Sequence, residues 1–204
     1  MTKRADIQSG RLIDTEHLGW IDKGHAKGDD TRALWAQLLS EEPNPLIKGY
    51  FLVNYSQAMG TKHIRTSVHS QWKMKKRLSI ATKHAIALSM MFCVSQQFEG
   101  MQSSSFYSSF TNNVFSCEDW VSNLLGFYSV ILARNYLLMI KPKSKEYAFK
   151  IWNYFGSIGK YKNNQLRVFL FPDSEESPSN TYPIKEAFPL TCLPLSHFFR
   201  MRTM

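Results

Sequence analysis

Between Tyr50 and Lys75 an aromatic and branched run, a turn and an alternating return follow one another, and this limits the fold more than any other stretch. Tyr50-Phe51-Leu52-Val53-Asn54-Tyr55-Ser56-Gln57 is rich in aromatic and branched residues, and Met59-Gly60-Thr61-Lys62 has the composition of a turn. On the return, Ile64, Thr66, Val68, Ser70, Trp72 and Met74 share one face, and Arg65, Ser67, His69, Gln71, Lys73 and Lys75 share the other. A period of two predicts an antiparallel hairpin with one wet face. From Leu78 to Met101 the period lengthens: Ile80, Ala81, Ala85, Leu88, Met91, Phe92, Ser95 and Phe98 fall at helical spacing. That helix is apolar over most of its circumference, which predicts burial on several sides. A hairpin followed by helices reads as α+β, a small antiparallel sheet packed against several helices.

Capping signals place further helices. Gly28-Asp29-Asp30-Thr31 opens one, with Asp at the cap, Leu34, Trp35, Leu38 and Leu39 as its stripe and Pro43 and Pro45 as its stop. Ser144 caps another, carrying Tyr147, Ile151, Trp152 and Phe155 and ending at Gly156. Leu166–Phe171 reads as a strand, 172–183 as a surface loop and the tail to Met204 as irregular packed chain. Residues 1–16 are polar and read as flexible. At 204 residues the chain is most simply one domain, 1–204.

A hydrophobic fraction of 44% supports a packed core rather than disorder. No stretch approaches the ~18 apolar residues of a membrane span, and the N-terminus lacks the apolar core of a secretory signal. Its three cysteines, Cys93, Cys117 and Cys192, form no disulfide framework, which suits synthesis in a reducing cytoplasm. There is no HExxH, no CxxC and no phosphate-cradling glycine loop, so no metal or cofactor is expected. A formal charge of +9 favours anionic partners such as nucleic acid, anionic lipid or acidic wall polymers. The charge is dispersed, densest at Lys73, Lys75, Lys76 and Arg77, and a solvated basic face is the simpler reading. Trp72 alternates to the side away from Arg65 and Lys73, which disfavours nucleic acid.

The chemistry concentrates in Val114–Tyr128. Ser116 has the shape of an N-cap, and Asp119, three residues on, completes a near capping box. Cys117 then falls in the first helical turn, where unpaired N–H groups and the helix dipole depress a thiol pKa. Glu118 and Asp119 oppose that shift, and the competing reading is a small buried residue. His25, in a glycine-bounded turn beside Asp22, is the candidate base. His63 and His69 fall on the hairpin's polar face, His84 on the inward stripe of the long helix, and His17 close to His25 in sequence. Cys93, among Met90, Met91, Phe92 and Val94, reads as core; Cys192, five residues before His197, reads as packing. Glu99 is either a buried acid or a helix-end charge reaching water.

Ser116-Cys117-Glu118-Asp119-Trp120-Val121 and Gly24-His25-Ala26 resemble the cysteine and histidine segments of the permuted papain-like cysteine peptidases of the NlpC type. Gly19-Trp20-Ile21-Asp22…His25 and Phe115-Ser116…Glu118-Asp119…Ser122-Asn123 are also similar to an uncharacterised bacterial family without an assigned reaction. The histidine of the papain-like family opens a core strand, whereas His25 runs toward a helix, so Asp22, Gln57 and His63 are all candidates for the third, orienting residue. The resemblance implies a papain-like fold in which Cys117 attacks a carbonyl carbon and His25 carries the proton. It implies amide cleavage in bacterial peptidoglycan peptides, or hydrolysis or transfer of lipid acyl chains by the same pair. For a basic chain without a signal, it further implies delivery to a target cell's periplasm by a secretion system as an antibacterial effector, with an immunity protein as partner. The reading from a different class is a non-enzymatic module whose basic hairpin binds an anionic partner.

Overall fold

A computed structural model describes residues 2–60, 65–103, 115–163, 167–173, 175, 178–179 and 181–187, with the backbone alone at 58–60, 65–66 and 98–103. The architecture is α+β: among the described residues, helices accompany three two-stranded antiparallel sheets. No described helix is long and apolar enough to cross a membrane. The sequence reads most simply as one domain, but the chain divides into two compact units. The first holds residues 1–26, 115–122 and 137–204; the second holds 27–114 and 123–136. The divide falls within a single helix, Cys117–Ile131.

The first unit begins with α1 (Arg4–Gln8) and a hairpin of β1 (Leu12–Thr15) and β2 (Gly19–Asp22). The polar stretch 1–16, read from sequence as flexible, thus carries two regular elements, Arg4–Gln8 and Leu12–Thr15. Ile7, Leu12 and Trp20 explain why: each is buried, in one cluster with Ala148, Ile151, Phe155, Ile158, Phe169 and Phe171. Trp20 meets Trp152 edge-on at 6.4 Å. The apolar positions of α5 (Lys145–Phe155) supply much of that cluster, and the Ser144 hydroxyl accepts the Tyr147 N–H at 3.1 Å, as the cap signal predicts. Strand β5 (Val168–Leu170) pairs with β6 (Ile184–Glu186), a strand the sequence does not announce. Gly19, at φ +63°, lies so close to β5 that a Cβ would stand 2.1 Å from the Phe169 carbonyl oxygen.

Asp14, on β1, is buried, with Lys143 Nζ at 3.2 Å and the Thr15 N–H at 3.0 Å. Burial outweighs the attraction of Lys143 and pushes its carboxyl up from 3.8 to about 6. A carboxyl raised on folding holds its proton better in the native state. Its favourable contribution is complete below the unfolded value and gone once pH passes about 6. Asp14→Asn should therefore gain about 2–3 kcal/mol relative to wild type between about pH 4 and about pH 8. Urea unfolding at both pH values checks this; a difference independent of pH would contradict it.

In the second unit, α2 (Asp29–Ser40) and α3 (Ile80–Ser103) pack against the long hairpin of β3 (Tyr50–Gly60) and β4 (Arg65–Lys75). The alternation is as the sequence predicts. Phe51, Val53 and Tyr55 are buried on one side, and Asn54, Ser56, His69, Gln71, Lys73 and Lys75 are exposed on the other. Gln37 of α2 donates to the Asn54 carbonyl and accepts the Asn54 N–H, both at 2.8 Å, so its amide occupies the outer edge of β3 as another strand would. Helix α3 departs from the expected all-round burial. Lys83, Ala87, Met90, Met91 and Val94 face inward, whereas Ala81, Ala85, Ser89 and Cys93 form an exposed ridge four residues apart. The small residues of that ridge carry an apolar signal without the volume that demands burial. Cys93 is thus a surface thiol rather than core.

Candidate active site

The first unit brings the His25 segment onto the start of α4 (Cys117–Ile131). Residues just before the helix are anchored by the segment after α5: Ser116 bridges Lys162, and the Asn163 N–H donates to the Phe115 carbonyl at 2.7 Å. The Asn163 side chain is buried; it donates to the Arg167 carbonyl at 2.7 Å and accepts the Arg167 N–H at 2.9 Å. Asp119 takes the capping role in a variant form. Its Oδ2 accepts both the Ser116 N–H, at 3.3 Å, and the Ser116 hydroxyl. The Ser116 hydroxyl therefore donates to the acid instead of accepting from the helix.

His25 lies on the single-turn 3-10 helix His25–Lys27 that follows β2. Its side chain is 47% exposed, and Nε2 lies 4.0 Å from Asp119 Oδ1, the oxygen not used by Ser116. One carboxylate therefore caps the helix with one oxygen and faces the imidazole with the other. The turn is fixed from below by Asp22, whose carboxylate takes a two-pronged contact from Arg11 at 3.1 and 2.8 Å and accepts the Gly24 N–H at 2.7 Å. The Asp22 N–H donates to Ser122 Oγ of α4 at 2.9 Å, tying the two segments together. Burial works to raise the Asp22 pKa, but Arg11, the Gly24 N–H and the charge of His25 outweigh it and hold the carboxyl below its ordinary value.

Cys117 departs from its expected role. It opens α4, but its side chain turns inward and is 3% exposed, in the cluster with Trp20, Ile151, Ile158 and Phe169. Among the described residues the thiol's hydrogen-bond partners are Glu118 Oε2 and the Ile158 carbonyl, both at 3.5 Å, not His25. Burial first, then the Glu118 and Asp119 charges, push its pKa well above that of a free thiol, the reverse of the thiolate expectation. The helix dipole does not overcome burial beside two acids. Glu118 is buried too, with Thr2 donating to Oε1 at 2.8 Å; burial and Asp119 raise its pKa. Cysteine-specific alkylation read by peptide mapping should modify Cys93 in the folded protein and Cys117 only on unfolding. Fast native alkylation of Cys117 would contradict its burial.

Of the third-residue candidates, Asp22 is next to His25 but committed to Arg11 and Gly24. Gln57 belongs to the other unit, where its amide lies 3.4 Å from the Tyr55 hydroxyl. His63 lies outside the described residues, as do Cys192, His197 and the side chain of Glu99. His84 is half-buried against Trp35 with centroids 4.9 Å apart, and burial lowers its pKa. His17 is exposed beside Glu16, and His69 is exposed on the hairpin. Asp119 is the residue the sequence reading missed in this role. Its capping position was visible, but the second use of its carboxylate depends on a partner far away in the chain. No cluster of three or more metal-binding side chains occurs among the described residues.

Comparison with family models, curated proteins and solved structures finds no match.

Proposed function

We propose that the protein is an acyl hydrolase in which His25, facing Asp119, activates water against a carbonyl carbon. The observation that carries this reading is the exposed imidazole facing a carboxylate whose other oxygen is fixed by the helix cap. The imidazole takes a proton from water as the water oxygen bonds to the carbonyl carbon. The tetrahedral adduct then collapses, breaking the bond to the leaving nitrogen or oxygen, and the imidazolium returns the proton to that atom. Asp119, whose Oδ1 faces the ring at 4.0 Å, orients it. The positive end of α4, on the same turn, suits the oxyanion.

What carries over from the papain-like resemblance is a histidine beside a helix start; the nucleophilic cysteine does not. Cys117 and Glu118 are here a buried pair beneath the site. The net charge of +9 favours acyl groups carried on anionic polymers. Peptidoglycan peptides come first and lipid acyl chains second. On the first substrate the protein acts in the periplasm of a target cell, delivered there as an effector and opposed by an immunity protein. The test is hydrolysis of soluble wall peptides and of a small activated ester by wild type and His25→Asn. Equal rates would end this reading.

A further inference from the structure

The wet face of the β3–β4 hairpin gathers chemistry that the hydrolase reading does not use. Register places Tyr50 opposite Lys75, Leu52 opposite Lys73, Asn54 opposite Gln71 and Ser56 opposite His69. With Ser67, the described side chains of this face are cationic, neutral polar or aromatic, with one half-buried leucine and no carboxylate. Lys76 and Arg77 extend the cationic end. Glu41, next to that end, is engaged by Lys83 Nζ at 2.7 Å and the Arg77 N–H at 3.0 Å. Glu42 lines a cleft with Gln37, Asn44 and the face residues Leu52 and Asn54, and so borders the face along β3. The helices α2 and α3 pack against the hairpin, and its buried residues, Phe51, Val53 and Tyr55, lie on the opposite face.

Tyr50 gives the face its meaning. Its ring is 39% exposed, with Lys73 Nζ 4.5 Å from the centroid. A ring and a cation therefore already sit together on the basic side. Trp72, on the other side as the alternation predicts, is not needed. Gln71 donates to Asn54 Oδ1 at 2.8 Å, which fixes the neighbouring amides in one orientation.

We infer that this face binds single-stranded nucleic acid, with a base on Tyr50 and phosphates on Lys73 and Lys75. An aromatic ring flanked by cations on an open sheet suits unstacked bases along a flexible backbone. A duplex hides its base faces, and a membrane surface calls for an apolar wedge that a single half-buried Leu52 does not provide.

The experiment is fluorescence anisotropy of a labelled oligothymidylate with the full chain across a salt series. Wild type should bind with an affinity that falls steeply with salt. Lys73→Gln/Lys75→Gln should reduce the log–log salt slope by about 1.4, roughly 0.7 for each phosphate no longer neutralised. Tyr50→Ala should weaken binding about tenfold or more and leave the slope unchanged. All three side chains are exposed, and circular dichroism with thermal melts verifies folding of the variants. His25→Asn should bind as wild type does, so this result and the hydrolase result stand apart. The inference is overturned if wild type shows no salt-dependent binding, if binding ignores both variants, or if only anionic phosphatidylserine vesicles are bound.

Discussion

His25→Asn is expected to lower acyl hydrolysis by about 10²- to 10⁴-fold, the usual contribution of a positioned proton acceptor. The substitution keeps a polar side chain of similar reach on an exposed turn, so the fold should be unaffected. Asp119→Asn should lower kcat with little change in KM, because the carboxylate acts on the imidazole and not on bound substrate. Asparagine retains an acceptor for the Ser116 N–H, so the cap survives in part and the variant reports on the histidine rather than on unfolding. Steady-state kinetics with a single activated ester reads both effects. Loss of kcat in His25→Asn with Asp119→Asn unaltered would leave the histidine as base but remove its proposed orienting partner.

A large loss of stability is expected from a side chain at Gly28, the residue before α2. Its φ of +66° lies in the left-handed region, and a Cβ there would stand 2.3 Å from the Gly126 carbonyl oxygen and 3.1 Å from Gly126 Cα. Two glycines thus let the start of α2 meet the backbone of α4 within the second unit. Gly28→Ala combines a left-handed penalty of about 1–2 kcal/mol with overpacking of about 1–3 kcal/mol, giving a loss of about 2–5 kcal/mol. Gly49→Ala is the control: φ is +79°, but nothing lies within 4 Å of the added Cβ, so only the backbone penalty remains. Urea unfolding of both variants separates the contributions, and equal losses would show that the close approach to Gly126 carries no energy.

The contrast between what local pattern revealed and what it hid follows from the range of the interactions. The long hairpin, α2 and α5 were legible because alternation, Ser144 and the terminating Pro43 and Gly156 act within a few residues. At α2, however, the cap position falls to Gly28, without a side-chain bond, and Asp29 lies in the first turn. The β1–β2 hairpin was not, because its strands are four residues each and Gly19 reads as punctuation until Phe169 is placed against it. The start of α4 at Cys117 was legible from Ser116 and Asp119. The direction of the thiol was not: it is set by the Ile158 carbonyl and the aromatic cluster, which sequence proximity does not supply. The turn that holds His25 was legible because Asp22 and the glycines around it announce it, yet the carboxylate facing its imidazole comes from another element. Tyr50 escaped notice because, at the first residue of β3, only strand register assigns its side.

The most direct measurement is the hydrolysis rate of Cys117→Ser beside that of His25→Asn, on the same wall peptides and the same ester. Serine keeps a hydroxyl donor for Glu118 and nearly the same volume, so Cys117→Ser should retain activity within a few-fold of wild type while His25→Asn loses it. If Cys117→Ser falls as far as His25→Asn while remaining folded, the thiol is the attacking group, and the description of Cys117 as a buried donor beneath the site is wrong.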